Sequence, residues 1–142
     1  MAALRNSKGR EYICVSDSIT FPLELDGAQV DEEFIRELLE ILNISEKQEM
    51  LPSMLSGGEQ QRVAIIRALA SKPAIILADE PTGNLDTAAS HDVIGLLKVL
   101  SRKYQQTLIV ITHDLDIAQM ADRIVRIGDG KIVKGSEFHA GE

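Results

Sequence analysis

The chain has 142 residues, 44% apolar and 26% charged, with 15 Lys and Arg against 22 Asp and Glu and a formal net charge of −7. That length fits one domain, the composition is that of an ordinary globular chain, and no apolar run approaches the ~20 residues a bilayer span needs. An acidic chain with two Tyr, three Phe and no Trp also lacks the basic footprint and stacking platform of a free-standing nucleic-acid binder, so no nucleic-acid partner is expected.

The single Cys14 excludes an internal disulfide, and no positively charged leader precedes an apolar segment, which together point to the cytoplasm. The charge is unevenly spread. Nine acids and two bases lie between Glu24 and Glu49, so this segment carries the whole excess and the remainder is balanced. Two readings fit: a solvated helix face, or a docking surface for a basic partner.

In chain order, a polar start with Arg5, Lys8 and Arg10 leads into Tyr12-Ile13-Cys14-Val15, whose apolar run predicts a short strand, and then into Ser16-Asp17-Ser18. From Asp31 the spacing predicts a helix, with Asp31 as N-cap, Glu32 and Glu33 at its positive end, and Phe34, Ile35, Leu38, Leu39 and Leu42 on one face. Pro52 closes that segment. Ser56-Gly57-Gly58-Glu59 opens a second helix with capping-box spacing, running to about Ser71 before Pro73 stops it.

Ala74 to Ala78 is apolar without alternation, the pattern of a strand buried on both faces of a parallel sheet, and it ends in Asp79 and Glu80. The loop Pro81-Thr82-Gly83-Asn84-Leu85-Asp86 precedes a helix with Val93, Leu96, Leu97 and Leu100 at i, i+3, i+4 and i+7. A second buried strand follows from Thr107 to Ile111, ending at Thr112-His113-Asp114. A short helix near Leu115 to Ala121 leads to a strand at Arg123 to Ile127, and Asp129-Gly130 signals a hairpin before Lys131 to Val133. Strands alternating with helices predict an α/β doubly wound sheet with its ligand at the carboxyl ends of the strands, where Asp79, Glu80 and His113 fall.

Those ends carry the chemistry. Two carboxylates at a strand tip suit a divalent cation on Asp79 and a water beside Glu80, or they are simply solvated acids in a turn. Two glycines heading a helix suit a phosphate against unpaired N–H groups and the positive dipole end, or Ser56 and Glu59 only cap their helix, which would not require both glycines. His113 is a lone histidine, and its position on a neighbouring strand tip places it within reach of the same crevice as Glu80.

Leu55-Ser56-Gly57-Gly58-Glu59-Gln60-Gln61 resembles the signature motif of ATP-binding cassette ATPases. Ile75 to Glu80 resembles their Walker B strand and catalytic acid, Asn84-Leu85-Asp86 their D-loop, and His113 their switch histidine, all in the family's order. The run LADEPTGNLD most resembles the bacterial ATPases of lipoprotein release, macrolide export and antimicrobial-peptide resistance. The resemblance spans Asp31 to Gly135 and implies a partial P-loop NTPase fold, with 1–23 unassigned, 24–72 a helical subdomain and 73–142 the carboxy-terminal core with a β-hairpin. It further implies that Ser56, Gly57, Gly58 and Gln60 bind ATP held by a second protomer, Asp79 positions Mg²⁺, Asp86 communicates across the dimer, and Glu80 and His113 act on the attacking water and γ-phosphate. The implied partners are that protomer in a homodimer and a membrane permease, on the inner face of the cell membrane.

No G-x-x-x-x-G-K-S/T phosphate loop is present, Gly9 in Ser7-Lys8-Gly9-Arg10 has neither the length nor the spacing, and Gln29 is a poor match for the family's Q-loop glutamine. Losing one preorganised donor costs ~10²–10³ in rate, so the chain alone is expected neither to bind ATP tightly nor to hydrolyse it. Missing a neighbouring strand, it is also expected to bare apolar edges and self-associate. Two rival readings are the signature-bearing half of a split DNA-repair or chromosome-maintenance ATPase, and a non-hydrolysing module that completes another protomer's site; sustained heptads, expected of the first, are absent.

Overall fold

The structure is a computed structural model that describes residues 13–83 and 85–133, together with the backbone of Phe138 and His139. Arg5, Lys8, Gly9, Arg10, Tyr12, Asn84 and Gly135, singled out above, lie outside the described residues.

The amino-terminal half is helical. The expected strand at Tyr12 to Val15 is not formed in its described part: Cys14 is instead the N-cap of α1 (Val15–Leu25). Val15, Ile19 and Leu23 recur at i, i+4 and i+8 and are buried, so helical period outweighs a four-residue apolar run. The Asp17 carboxylate accepts from the Cys14 N–H at 3.1 Å and from its thiol at 3.0 Å. The N–H groups of Val15 and Ser16 donate to Met50 O and Gln48 O, which satisfies helix-end donors that would otherwise be buried unpaired. Burial pushes the Cys14 thiol above its usual pKa, with the Asp17 hydrogen bond acting the same way.

Helix α2 (Glu32–Ile41) starts as expected, with Asp31 accepting from the Phe34 N–H at 3.0 Å, and buries Ile35, Leu38 and Leu39. Two single 3₁₀ turns, Ser45–Lys47 and Pro52–Met54, lead to α3 (Gly57–Ala70). Both α1 and α2 pack on α3.

Next come β1 (Ile75–Asp79), α4 (Thr87–Lys103) and β2 (Thr107–Ile111), a parallel pair joined by a helical crossover, with Ile75 opposite Thr107 and Asp79 opposite Ile111. Helix α4 contacts both α3 and β2, and its Val93, Ile94, Leu97 and Leu100 are buried in the same core as Ile66 and Leu69. Helix α5 (Leu115–Gln119) follows β2. Lys98 ties its exit to α4 through Met120 O at 2.6 Å and Asp122 at 3.2 Å. The expected strand at Arg123 to Ile127 is two short pieces, β3 (Arg123–Ile124), paired with β6 (Phe138–His139), and β4 (Ile127–Gly128). Strand β4 pairs with β5 (Lys131–Ile132) across the predicted turn, where Asp129 and Gly130 both take left-handed φ, 50° and 72°, as a two-residue hairpin requires.

The strands differ from expectation in their burial. Ile76 is buried, and Leu108 and Val110 pack against the core, while Ile75, Leu77, Ile109 and Ile111 on the opposite face are 55%, 74%, 46% and 58% exposed. One face of the pair is covered by helices and the other is bare, because apolar side chains on both faces of a strand call for two covering layers and the described chain supplies one.

Two outcomes follow from this packing. Ile66 has no exposure, so Ile66→Ala should lower the unfolding free energy by about 2–5 kcal/mol in a denaturant titration. The bare face should make copies associate through it. Light scattering should report a mass that rises with concentration, and Leu77→Lys should return it towards the monomer; a monodisperse monomer at high concentration contradicts this reading.

Candidate functional site

The site is built where β1 and β2 end. Because Asp79 stands opposite Ile111, the next residues of both strands leave the sheet side by side, and the Glu80 N–H continues the ladder by donating to Ile111 O at 2.9 Å. Glu80 then turns into the left-handed region at φ 44°, a strain of about 1–3 kcal/mol for a residue with a side chain. The ladder bond on one side and the Gly83 N–H donating to Glu80 O at 3.1 Å on the other hold it there.

This conformation aims the Glu80 carboxylate at the neighbouring tip. Its Oε1 lies 2.7 Å from His113 Nδ1 and accepts the His113 N–H at 3.1 Å, so ring and backbone of His113 are both held by one oxygen. The hydrogen bond and negative charge of Glu80 raise the His113 pKa above the ordinary 6.5, although the imidazole is largely exposed. The segment after His113 is pinned by Asp114, whose side chain caps α5 by accepting from the N–H groups of Asp116 and Ile117.

The glycine turn heads α3 as predicted. Ser56 Oγ accepts from the Glu59 N–H at 3.3 Å and the Glu59 carboxylate accepts from the Ser56 N–H at 2.8 Å, so the capping box forms. The Ser56 N–H bond lowers the Glu59 pKa. Capping alone leaves the glycines unexplained: a Cβ at Gly58 would meet nothing within 4 Å, and one at Gly57 would make only ordinary contact with Leu85 at 3.7 Å. Space rather than packing surrounds both. Gln60 is exposed, and its amide donates to Leu55 O at 3.1 Å and Pro52 O at 3.3 Å, bracing the chain before the turn.

Between the turn and the strand tips lies an open cleft of about 280 Å³, lined by Gly57, Gln60, Gln61, Glu80, Pro81, Gly83 and Leu85. It joins residues of the two candidate motifs in one concavity, with His113 bonded to one of its walls. Ser56, Gly58, Asp79 and Asp86 are not among its lining. Asp79 is exposed at the end of the bare strand face, and Asp86 is the N-cap of α4, accepting from the Ala89 N–H at 2.8 Å. Gly83 and Gln61 are site residues that the motifs left without a role. The Pro-x-Gly spacing of Pro81 to Gly83 is the turn signal that marks the first.

Among the described residues no group of three or more His, Cys, Asp or Glu is placed to hold a metal. Asp79 and its neighbour Glu80 therefore do not make a protein cage. One or two carboxylates with the other ligands coming from phosphate and water is how Mg²⁺ is bound beside a nucleotide, and the donor set fits that arrangement. No helix among the described residues is long and apolar enough to cross a membrane.

A parallel strand tipped with acids, a histidine on the adjacent tip and a glycine turn heading a helix define part of a P-loop NTPase fold. The family model described as "ABC transporter" matches residues 5–83, more than half of the sequence, and the chain belongs to that family. The match starts at residue 5, before Asp31, where the span of the resemblance begins, and so takes in most of the segment 1–23 that the motifs leave unassigned. The chain is 42% identical over 119 residues to the lipoprotein-releasing system ATP-binding protein LolD 1 of Rhodopseudomonas palustris, covering 82% of this chain and 53% of that protein. It is 45% identical over 120 residues to the macrolide export ATP-binding/permease protein MacB of Syntrophobacter fumaroxidans, covering 82% and 17%. The dimeric structure of MJ0796, a bacterial ABC transporter cassette, superposes with a TM-score of 0.72 at 36% identity, covering 91% of this chain and 57% of that one. The chain thus spans about half or less of the length of these relatives.

The Glu80–His113 pair has a defined pH dependence. The raised pKa of His113 means that its contribution to stability is fully present below about 6.5 and is lost as pH rises through the higher folded value. An NMR titration of the imidazole should give a midpoint above 6.5, and Glu80→Gln should lower it; an unchanged midpoint in that variant would show that the pair does not form.

Proposed function

We propose that the chain is the signature-bearing and acid-bearing portion of the ATP-binding subunit of a membrane transporter, of the kind that serves lipoprotein release or macrolide export. The observation that carries the reading is the Glu80–His113 bond at adjoining strand tips, facing across one cleft to the glycine turn of α3. In this reading Glu80 orients or deprotonates a water and His113 contacts a γ-phosphate oxygen. Asp79 holds Mg²⁺, which supplies charge neutralisation at the transferring phosphoryl group. Ser56, Gly57 and Gly58 offer an open backbone and helix end to the phosphates of an ATP bound mainly by a second protomer, and Asp86 lies at the contact between protomers. The open space around Gly58 supports an approach from outside the chain. The names of the LolD and MacB relatives support release or export, and the dimeric MJ0796 cassette supports pairing of two such chains, with a permease as the further partner at the cytoplasmic face of a membrane.

The phosphate cradle is the part this sequence does not contain, so the pure chain should show no Mg²⁺-dependent phosphate release. Titration with a subunit that carries an intact phosphate loop should restore turnover, and Glu80→Gln should abolish it again by ~10²-fold or more. Turnover by the pure chain that Glu80→Gln removes would overturn the inactivity of the chain alone. Failure of every such subunit to restore turnover would overturn the shared site.

A further inference from the structure

The two halves of the cleft hang on one short joint. The glycine turn lies at the amino end of α3, and Glu80 lies just beyond β1; only residues 71–74 separate the end of α3 from the start of β1. Within that joint Lys72 is in the left-handed region at φ 50°, with its N–H on Leu69 O at 2.8 Å. The chain passes from α3 into β1 through this joint, while α1, α2 and α4 pack along α3 itself.

A cluster of side chains from three elements surrounds the joint. Lys72 Nζ is 2.6 Å from Asp31 Oδ2 and 4.8 Å above the Phe34 ring. Phe34 meets Tyr104 edge to face, with ring centroids 5.0 Å apart at 81°. Lys103 Nζ is 2.6 Å from Glu37 Oε1 and 5.4 Å from the centre of the Tyr104 ring. Helix α2 is thereby fastened both to the joint and to the carboxyl end of α4, the helix that connects β1 to β2. On the other side, Gln106 Nε2 donates to Pro73 O at 2.7 Å, tying the joint to the start of β2.

We infer that Lys72, Phe34, Tyr104 and Lys103 form a clamp that fixes the angle between α3 and β1 and so positions the glycine turn relative to Glu80. The lever makes this position sensitive: fourteen helical residues at 1.5 Å each span roughly 20 Å, so a swing of about 10° at Lys72 moves the turn by about 3–4 Å. A misplacement of ~1 Å can already cost ~10²-fold in a reaction. Both ion pairs are partly exposed and weak alone, so the edge-to-face rings supply the stiffness and the charges set their orientation. These are positioning residues; none of them lines the cleft. The link to catalysis rests on the ATPase reading above, whereas the clamp itself is a property of the free chain.

The test is a distance measurement without nucleotide. Spin labels at Ser53→Cys, beside the turn, and Asp92→Cys, on the exposed side of α4, report the angle, while Cys14 is 1% exposed and stays unlabelled. The parent should give one narrow distribution. Tyr104→Ala should shift or broaden it by about 3 Å or more, as a swing of about 10° requires, while Tyr104→Phe, which keeps the ring, should restore it. Ile117→Val, a core change away from the joint, should lower stability and leave the distribution alone. A parental distribution in folded Tyr104→Ala overturns the clamp. If that variant does not fold, Phe34→Leu and Lys72→Gln carry the test, and parental distributions in both overturn it. Because no ATP is present, a failed turnover assay leaves this result standing, and the reverse also holds.

Discussion

The structure depends on the register of two parallel strands. Asp79 opposite Ile111, extended by the Glu80 N–H to Ile111 O, brings an acid and a histidine that are 33 residues apart out of the sheet together. A slip of one residue would move one tip by about 3.3 Å along the strand and present the opposite face of every side chain. The register is held because Ile76, Leu108 and Val110 must face the helices. Burial on one side of the sheet therefore decides what meets at its end.

Helix ends are the second recurring device, and here they serve more than one demand. Asp31, Ser56, Asp86 and Asp114 each give a side-chain oxygen to the first turn of a helix. For Ser56 and Asp86 these are the same residues that the family resemblance assigns to ligand or protomer contact. The Ser56 hydroxyl accepts in the cap and keeps its own O–H as a donor, whereas an Asp86 oxygen that caps α4 is engaged as an acceptor. In the free chain capping holds both, and the Glu59 carboxylate already occupies one N–H at the start of α3.

Much of this was legible in the sequence, for identifiable reasons. The helix starts at Asp31 and Ser56 and the hairpin at Asp129-Gly130 follow from local chemistry that does not depend on the rest of the fold. The Glu80–His113 meeting was readable because parallel strand tips converge. Helix α1 was not, because Pro22 interrupts its pattern and its cap is a Cys–Asp pair supported by carbonyls of Gln48 and Met50, more than thirty residues away. Burial of β1 and β2 on both faces was read from composition, which reports what a strand can cover but not how many layers cover it. The positive φ of Glu80 and the Phe34–Tyr104 contact are products of tertiary packing and leave no local signal.

The bare strand face has a consequence for the life of the chain as well as for its shape. Four large aliphatic side chains left in water are the kind of surface on which chaperones and proteases act, so whatever layer covers that face would also withdraw it from both.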